Sequence, residues 1–231
     1  SSPAALKIVS ELAVSGKVVR LVAAAERLFA VTQQGQLYCF GAEPRAKPVT
    51  HVLKTVPVVE NADWSEKVTH LLKSTGADAG YAVVYGIGSG GLVSELVRQS
   101  ELHVIVIEPT AEKVAAFRQQ WCDHGLYGKR VACHVGVAGQ FELPPYLASL
   151  IATEDAQLLL KTTLPIKVEH DIIPVNVNPG HVLREVLKTL RPFGGTLALR
   201  LNADEHRNYT ARVTSVMPQA VVKQVDDLTL I

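Results

Sequence analysis

Short hydrophobic runs alternate with amphipathic segments from residue 81 to residue 201. The runs are rich in valine, leucine and isoleucine and predict buried strands at 81–85, 103–107, 131–135, 147–152 and 195–201. Between them, apolar residues with helical spacing predict helices at about 92–99, 111–124 and 182–190. This alternation predicts an α/β fold in which right-handed crossovers connect a mostly parallel sheet.

Both flanks of this region carry further signals. A helix is predicted from Asp63 or Ser65, either of which could cap it, to about Lys73. Near the end of the chain, 220–225 and 228–231 surround an Asp-Asp turn and predict an antiparallel hairpin that closes one edge of the sheet. Residues 157–180 contain three prolines and are predicted to be rich in loops.

The first fifty residues have a different pattern. Short strands are predicted at 18–24, 27–32 and 37–40, and the polar turn at 33–36 makes Arg27–Gly41 a β-hairpin. Pro44, Pro48 and Pro57 predict an extended linker over 42–61. The predicted organisation is a β-hairpin segment at 1–45, a linker at 46–62 and a larger α/β domain at 63–231.

Composition and charge limit the classes of function. The chain has 231 residues, 48% of them hydrophobic, which is enough for a sizeable core. A net charge of +1 with scattered basic residues gives no signature of a nucleic-acid binder. No apolar run reaches the ~18 residues of a membrane-spanning helix, so no membrane contact is expected. The 3 cysteines lack C-x-x-C spacing and the 8 histidines form no ligand pair, so no metal site is predicted.

The most informative segment is the turn Gly86–Gly91, between a predicted strand and a predicted helix. Glycines allow the backbone to approach a ligand closely, and the N-terminus of the following helix offers unpaired N–H groups to an anion. The next predicted strand ends in Glu108, whose carboxylate could accept hydrogen bonds from both hydroxyls of a ribose. Together these features predict a nucleotide-like or carboxylate-bearing cofactor.

The spacing of the glycines leaves the identity of the cofactor open. Gly86, Gly88 and Gly91 fit the G-x-G-x-x-G of nicotinamide and flavin sites. With Gly90 in place of Gly91, the same turn fits the G-x-G-x-G of S-adenosylmethionine sites. A nicotinamide-dependent oxidoreductase would also need a hydride-transfer site, for which the sequence offers no candidate histidine and no Tyr-x-x-x-Lys. A glycine-rich turn that binds nothing is the third alternative.

The order of motifs from Tyr81 to Ile231 resembles that of class I S-adenosylmethionine-dependent methyltransferases. Val84–Gly90 stands where that family has its first motif, and Glu108 stands where it has a ribose-binding acid. Leu187–Leu197 is similar to the family's helix, turn and fifth strand, and a terminal hairpin is also typical of it. The resemblance implies a Rossmann-like methyltransferase fold, S-adenosylmethionine as the cofactor and a methyl acceptor that the sequence does not identify.

The resemblance also implies a set of site residues. The cofactor site would be lined by Gly86, Ile87, Gly88, Gly90, Glu108, Pro109, Val137 and Thr153. Glu154 or Asp155 would face the reacting centre and orient the nucleophile or take its proton, although Asp155 could equally cap the next helix. Methyl transfer from a sulfonium is an in-line displacement, so alignment would supply most of the catalysis. Residues 157–180, with the polar cluster at 169–171, would form a lid over the substrate or a plain connection.

The sequence departs from the family at two cofactor positions. Val84 stands where the family usually has an acid, and Val137 where it often has an aspartate near the adenine. Each missing hydrogen bond removes ~1 kcal/mol, so both losses would weaken cofactor binding roughly ten- to a hundredfold. Leu143–Tyr146 resembles the N-P-P-Y motif of amino-methyltransferases but precedes the fourth strand instead of following it. These departures favour the alternative of a catalytically inactive, methyltransferase-like binding or scaffold module.

The hairpin Arg27–Gly41 resembles part of a blade from pyrroloquinoline-quinone-like β-propeller repeats. One hairpin cannot form a propeller, so the resemblance implies a domain inserted into a longer propeller protein. The alternative is an ordinary N-terminal hairpin. The expected partners are therefore a methyl acceptor and other parts of a longer chain. Use of S-adenosylmethionine favours the cytoplasm, whereas a propeller of this type often lies outside the inner membrane.

Overall fold

The computed structural model describes residues 11–43, 54–160, 163–168, 171–176 and 179–231, with the backbone alone described from 163 to 179. It divides into two compact units, Ser1–Val52 and Leu53–Ile231. The predicted boundaries at 45 and 63 remain a prediction. The prolines at 44 and 48 lie outside the described residues.

The first unit contains a small antiparallel sheet. Its strands are β1 (Val18–Ala24), β2 (Arg27–Thr32) and β3 (Leu37–Phe40), in the order β1-β2-β3. The predicted hairpin between β2 and β3 is confirmed, with Leu28 opposite Phe40. Every residue of β1 is exposed, although the strand is largely apolar.

The second unit alternates helices and strands as the sequence predicts. Its elements in chain order are α1 (Ala62–Thr75), β4 (Ala79–Tyr85), α2 (Gly91–Gln99), β5 (Glu101–Glu108), α3 (Ala111–Asp123), β6 (Val131–Val135), β7 (Ala148–Ala152), α4 (Gln157–Leu160), β8 (Thr163–Val168), β9 (Asp171–Asn176), α5 (Pro179–Lys188), β10 (Thr196–Arg200), α6 (Ala203–Val216), β11 (Lys223–Val225) and β12 (Leu228–Leu230).

Seven of these strands form one mostly parallel sheet, in the order β11-β12-β10-β7-β4-β5-β6. All neighbouring pairs from β10 to β6 are parallel. The exception is β12, which runs antiparallel between β10 and β11. The predicted α/β fold with a C-terminal antiparallel hairpin is therefore confirmed.

Helices cover both faces of this sheet, which explains why its central strands are continuously apolar. Successive residues of a strand point to opposite faces. On β4, Ala82 and Val84 join the core beneath α1, α2 and α3, whereas Val83 and Tyr85 join the core beneath α4, α5 and α6. The two cores hold the strand ends in fixed positions, and the loops at those ends carry the candidate site.

Two segments differ from the prediction. Residues 157–180, predicted to be rich in loops, contain α4 and the antiparallel pair β8 and β9. The helix α6 was not predicted because only two of its residues, Tyr209 and Val213, are buried, so its apolar pattern is sparse. Its start carries a clearer signal, since Asn202 and Glu205 form a capping box.

The first helix begins earlier than predicted. Asn61 is the N-cap of α1, and its side chain makes no capping hydrogen bond. Asp63 and Ser65 lie inside the helix, so the prediction that one of them caps it is wrong. The longest described helices have 14 residues. Among the residues that the structure describes, no helix is long and apolar enough to cross a membrane.

A buried glutamate fixes α1 against α2, the helix that follows the glycine turn. The carboxylate of Glu95 accepts the backbone N–H of Asn61 at 2.7 Å and side-chain hydrogen bonds from Arg98 and Gln99. Burial pushes the pKa of Glu95 upward, but the hydrogen bonds from Arg98, Asn61 and Gln99 outweigh it and hold the pKa below its ordinary value. The ionised form is therefore the one that the fold stabilises.

Replacing Glu95 with glutamine tests this network. The change keeps the volume but removes the charge, so we expect Glu95→Gln to lower the free energy of unfolding by roughly 1–3 kcal/mol at neutral pH. Because the pKa is lowered in the folded state, this contribution is present above the unfolded pKa of ~4.3 and is lost as pH falls through the folded pKa. Urea unfolding of both proteins between about pH 3 and pH 7 measures the difference.

Glu66→Gln, at an exposed position of α1, is the matched control and should leave stability unchanged. A loss of stability in Glu95→Gln that is equal at both ends of the pH range would contradict the electrostatic interpretation.

Candidate functional site

The candidate site lies at the carboxyl end of β4, where the direction of strand order reverses. From β4 the chain continues to β5 and β6 on one side, and β7 then returns to the other side. In open α/β sheets, such a switch point leaves a crevice at the carboxyl ends of the strands. The turn 86–90 follows β4, Glu108 ends β5, and Thr153 follows β7, so the structure brings these predicted residues to the same edge.

The glycine turn has the backbone that its sequence predicts. Gly86, Gly88 and Gly90 have φ angles of 79°, 57° and 80°, in the left-handed region that favours glycine. Gly90 is the N-cap of α2 and has no side chain with which to cap it. The first N–H groups of α2 therefore need acceptors from elsewhere in the chain.

The carboxylate of Glu108 holds one side of the turn. One oxygen accepts the N–H of Ile87 at 3.0 Å, and the other accepts the N–H of Thr110 at 3.0 Å. The side chain is almost fully buried, with 4% of the residue exposed. Glu108 thus ties the end of β5 to the turn after β4, a structural role that its predicted contact with a ribose does not require.

The carboxylate of Glu154 holds the other side of the turn. It accepts hydrogen bonds from the N–H of Ser89 at 2.7 Å, the hydroxyl of Ser89 at 3.1 Å and the N–H of Leu92 at 2.9 Å. It therefore places a negative charge at the N-terminus of α2, where the helix dipole favours one. In this position Glu154 acts as a remote cap of α2, and its oxygens are directed at the turn.

Glu154 also lies directly over Gly88. A Cβ atom at position 88 would come within 2.6 Å of the Glu154 carboxyl carbon, so a larger residue there would require the Glu154 side chain to move. At position 86, the obstructing group would be the Cδ1 atom of Leu158, from α4. Thus two of the three glycines that the sequence assigns to a cofactor, Gly86 and Gly88, lie against the protein's own side chains.

The space beside Leu158 is small. It is lined by Tyr85, Gly86, Ile107, Pro109, Gly136, Val137, Ala138 and Leu158. The predicted cofactor residues Pro109 and Val137 are therefore brought together with Gly86. The cavity has a volume of ≈ 10 Å³, about the room that one water molecule needs and far below the roughly 300–1,000 Å³ of small-molecule sites.

Thr153 and Asp155 make local contacts. The Thr153 hydroxyl lies 2.7 Å from the carbonyl oxygen of Tyr85 and accepts the N–H of Asp155 at 3.1 Å, so it links the ends of β4 and β7. The carboxylate of Asp155 accepts the N–H of Gln157 at 2.9 Å at the start of α4. Two roles were predicted for Asp155, facing the reacting centre or capping the next helix, and this contact corresponds to capping.

A second, more polar cavity lies on another side of α4. Its volume is ≈ 180 Å³, and it is lined by Gln157, Leu160, Glu205, Asn208, Tyr209 and Arg212. Gln157 donates a hydrogen bond to Glu205 at 2.9 Å, and Arg212 donates one to the carbonyl of Leu160 at 3.3 Å. These contacts anchor α4 to α6.

Burial keeps two potentially reactive groups of the central sheet protonated. It raises the pKa of Tyr85, one of the residues that line the small cavity, well above its ordinary value. It also raises the pKa of the Cys133 thiol on β6 to about 12, an effect that Arg118 opposes and Glu108 reinforces. Neither group is suited to act as a base or nucleophile at neutral pH.

In this arrangement, side chains of the protein itself lie over the glycine turn that is predicted to bind S-adenosylmethionine. The backbone cradle is present, but Glu154 covers Gly88 and Leu158 covers Gly86. Sequence reasoning missed Leu158 altogether and assigned Glu154 to the acceptor side. The signal that could have indicated this contact is Gly90, which cannot cap α2 with a side chain. A carboxylate from another part of the chain is then needed to accept the first N–H groups of the helix. Of the predicted polar cluster at 169–171, positions 169 and 170 lie outside the described residues.

No protein-family model matches the sequence, and no curated protein matches it. Solved structures do match. A candidate S-adenosylmethionine-dependent methyltransferase from Methanococcus maripaludis has a TM-score of 0.57 at 12% identity, over 73% of this chain and 83% of its own. An S-adenosylmethionine-dependent methyltransferase from Aquifex aeolicus has a TM-score of 0.53 at 15% identity, over 74% of this chain and 91% of its own.

A protein from Corynebacterium glutamicum also matches, with a TM-score of 0.50 at 15% identity, over 74% of this chain and 81% of its own. Structural similarity at 12–15% sequence identity shows the fold and nothing further. Leu53–Ile231 therefore has the Rossmann-like fold of class I methyltransferases, as the sequence predicts.

Proposed function

We propose that Leu53–Ile231 is an S-adenosylmethionine-dependent methyltransferase domain that acts on an acceptor not yet identified. The observation that carries the proposal is the βα unit at the switch point. There, left-handed glycines at 86, 88 and 90 follow the central strand, and Glu108 ends the neighbouring one. The strand order and the matching solved structures support the same assignment at the level of the fold.

Glu108 can still accept hydrogen bonds from a ligand in addition to those it accepts from the backbone. Each carboxylate oxygen has two lone pairs and accepts one described N–H, so each could accept a second hydrogen bond. Val137 and Pro109, which line the small cavity beside Gly86, would offer apolar contact to a base. When bound, the cofactor would supply an activated methyl group, and these residues would orient it.

The second candidate is a methyltransferase-like binding module without catalysis. It is favoured by the contacts of the predicted catalytic residues, because Glu154 binds the glycine turn and Asp155 binds the start of α4. It is also favoured by the apolar residue at 84, which is fully buried and offers no hydrogen bond to a ligand.

Calorimetry with S-adenosylmethionine and S-adenosylhomocysteine tests the proposal first. We expect saturable binding of both, with dissociation constants in the micromolar range, because the turn and Glu108 would contact the part of the molecule that they share. NADH is the control and should not bind. If none of the three binds at millimolar concentration, the cofactor proposal fails and the non-catalytic module is favoured.

Glu108→Ala tests the proposed ribose contact. We expect its affinity for S-adenosylmethionine to fall at least tenfold, about 1.4 kcal/mol, because two hydrogen bonds to the ribose are lost. We also expect a lower free energy of unfolding, by roughly 1–3 kcal/mol, because the N–H groups of Ile87 and Thr110 lose their acceptor. Binding is measured by calorimetry at a temperature at which circular dichroism shows the variant to be folded.

Glu101→Ala is the matched control, since Glu101 begins the same strand and is exposed. Glu101→Ala should change neither the affinity for S-adenosylmethionine nor the free energy of unfolding appreciably. An unchanged affinity in folded Glu108→Ala would remove Glu108 from the cofactor site.

For the first unit, we propose that β1, β2 and β3 belong to a propeller blade of a longer protein. Blades of propellers usually have four strands and pack against neighbouring blades. Support comes from the exposure of apolar residues on β1, where Val19, Leu21 and Val22 are 59%, 61% and 43% exposed. Such a strand would be stabilised by burial against another blade.

Removal of residues 1–43 tests this assignment. If these strands belong to a different folding unit, the melting temperature of the remainder should change by less than the roughly 2–4 °C that corresponds to 1 kcal/mol in a protein of this size. Differential scanning calorimetry of the two proteins measures the shift. A much larger decrease would mean that the strands are an integral part of the α/β domain.

A further inference from the structure

Two side chains from the segment after β7 cover the glycine turn. Glu154 lies over Gly88, and Leu158 lies over Gly86. We propose that Glu154 and Leu158 form a latch that closes the turn, in which the Glu154 carboxylate occupies the position of a ligand's carboxylate. The proposal rests on the proposed function, because it takes a ligand with a carboxylate, as S-adenosylmethionine has, to be what the turn would otherwise bind.

The hydrogen bonds of Glu154 are those that an incoming carboxylate would need. The N–H groups of Ser89 and Leu92 point at one carboxylate, and the Ser89 hydroxyl adds a third donor. The helix dipole of α2 favours one negative charge at this place, and a second carboxylate beside it would be repelled. Glu154 and a carboxylate ligand therefore compete for the same donors.

Leu158 closes the adjacent part of the turn by contact with Gly86 and leaves a cavity of only ≈ 10 Å³ beside it. The helix α4 is held to α6 by a hydrogen bond from the Gln157 side chain to Glu205 and by one from Arg212 to the backbone carbonyl of Leu160. Rotation of the Glu154 and Leu158 side chains, with α4 in place, is therefore the smallest movement that uncovers both glycines.

A latch of this kind lowers the apparent affinity for the ligand. When only a fraction of molecules is open, the apparent dissociation constant equals the intrinsic one divided by that fraction. If the open form is one molecule in ten or fewer, removal of the latch strengthens binding at least tenfold. The competing interpretation is that Glu154 organises the turn in place of the acid missing at 84, in which case its removal weakens binding.

The opposite signs of these two effects define the experiment. Calorimetry with S-adenosylmethionine would compare the native protein with Glu154→Ala, Glu154→Gln and Leu158→Ala. The latch predicts at least tenfold tighter binding by Glu154→Ala and a smaller gain for Leu158→Ala. Glu142→Ala, which removes an exposed carboxylate before β7, is the matched control and should bind as the native protein does.

A second measurement does not depend on the cofactor. Acetate is titrated into the full chain, and the amide resonances of Ser89 and Leu92 are followed by NMR. The latch predicts saturable shifts in Glu154→Ala, whose donors are uncovered, and no saturable shift in the native protein. Glu154→Gln is expected to lie between them, because its amide oxygen still accepts one N–H.

The outcomes separate the two proposals. Weaker or unchanged cofactor binding by folded Glu154→Ala and Glu154→Gln overturns the latch and makes Glu154 an organiser of the turn. If no protein binds S-adenosylmethionine, the proposed function fails and the acetate titration alone decides the latch. Saturable shifts confined to the Glu154 variants then support it, and their absence overturns it.

Discussion

The hydrogen bonds between two carboxylates and one glycine turn are the constraint on which the candidate site depends. The glycines of this turn supply N–H donors but no side chains. Within the turn, the Ser89 hydroxyl accepts the N–H of Gly91, and Gly90 leaves the start of α2 without a side-chain cap. Glu108 and Glu154 supply the acceptors from the strands on either side of β4. The turn is therefore formed by three strand ends together, and the order of the sheet is what brings those ends to one place.

Close packing and charge are linked in this arrangement. The Glu154 carboxylate reaches the N–H groups of Ser89 and Leu92 because no Cβ at position 88 stands in its way. The glycine that would let a ligand approach the backbone lets the protein's own side chain approach it equally well. A glycine-rich turn thus indicates that something comes close to the main chain, and the surrounding side chains decide what that is.

The predictable part of the molecule is the part that periodicity and turn chemistry determine. A strand such as β5 is indicated by its continuous apolar run at 104–107, and the Asp-Asp turn indicates the last hairpin. The helix α6 is not predicted from the sequence, because two buried residues in fourteen give almost no periodic signal. The contact of Leu158 with Gly86 is not predicted for another reason. The two residues are 72 positions apart, and only the assembled sheet brings them together.

The same geometry also explains why this fold is compatible both with a turn that binds a cofactor and with a turn that does not. The N–H donors of Ile87, Ser89 and Leu92 are paired within the protein, so these hydrogen bonds do not depend on a cofactor. A ligand must then provide more free energy at those donors than Glu154 does, and a difference of 1.4 kcal/mol changes its affinity tenfold. A methyltransferase and a non-catalytic module with this fold can therefore differ by one hydrogen-bonded side chain. The position of Glu154 over Gly88, which the overall fold does not determine, is where that difference would lie.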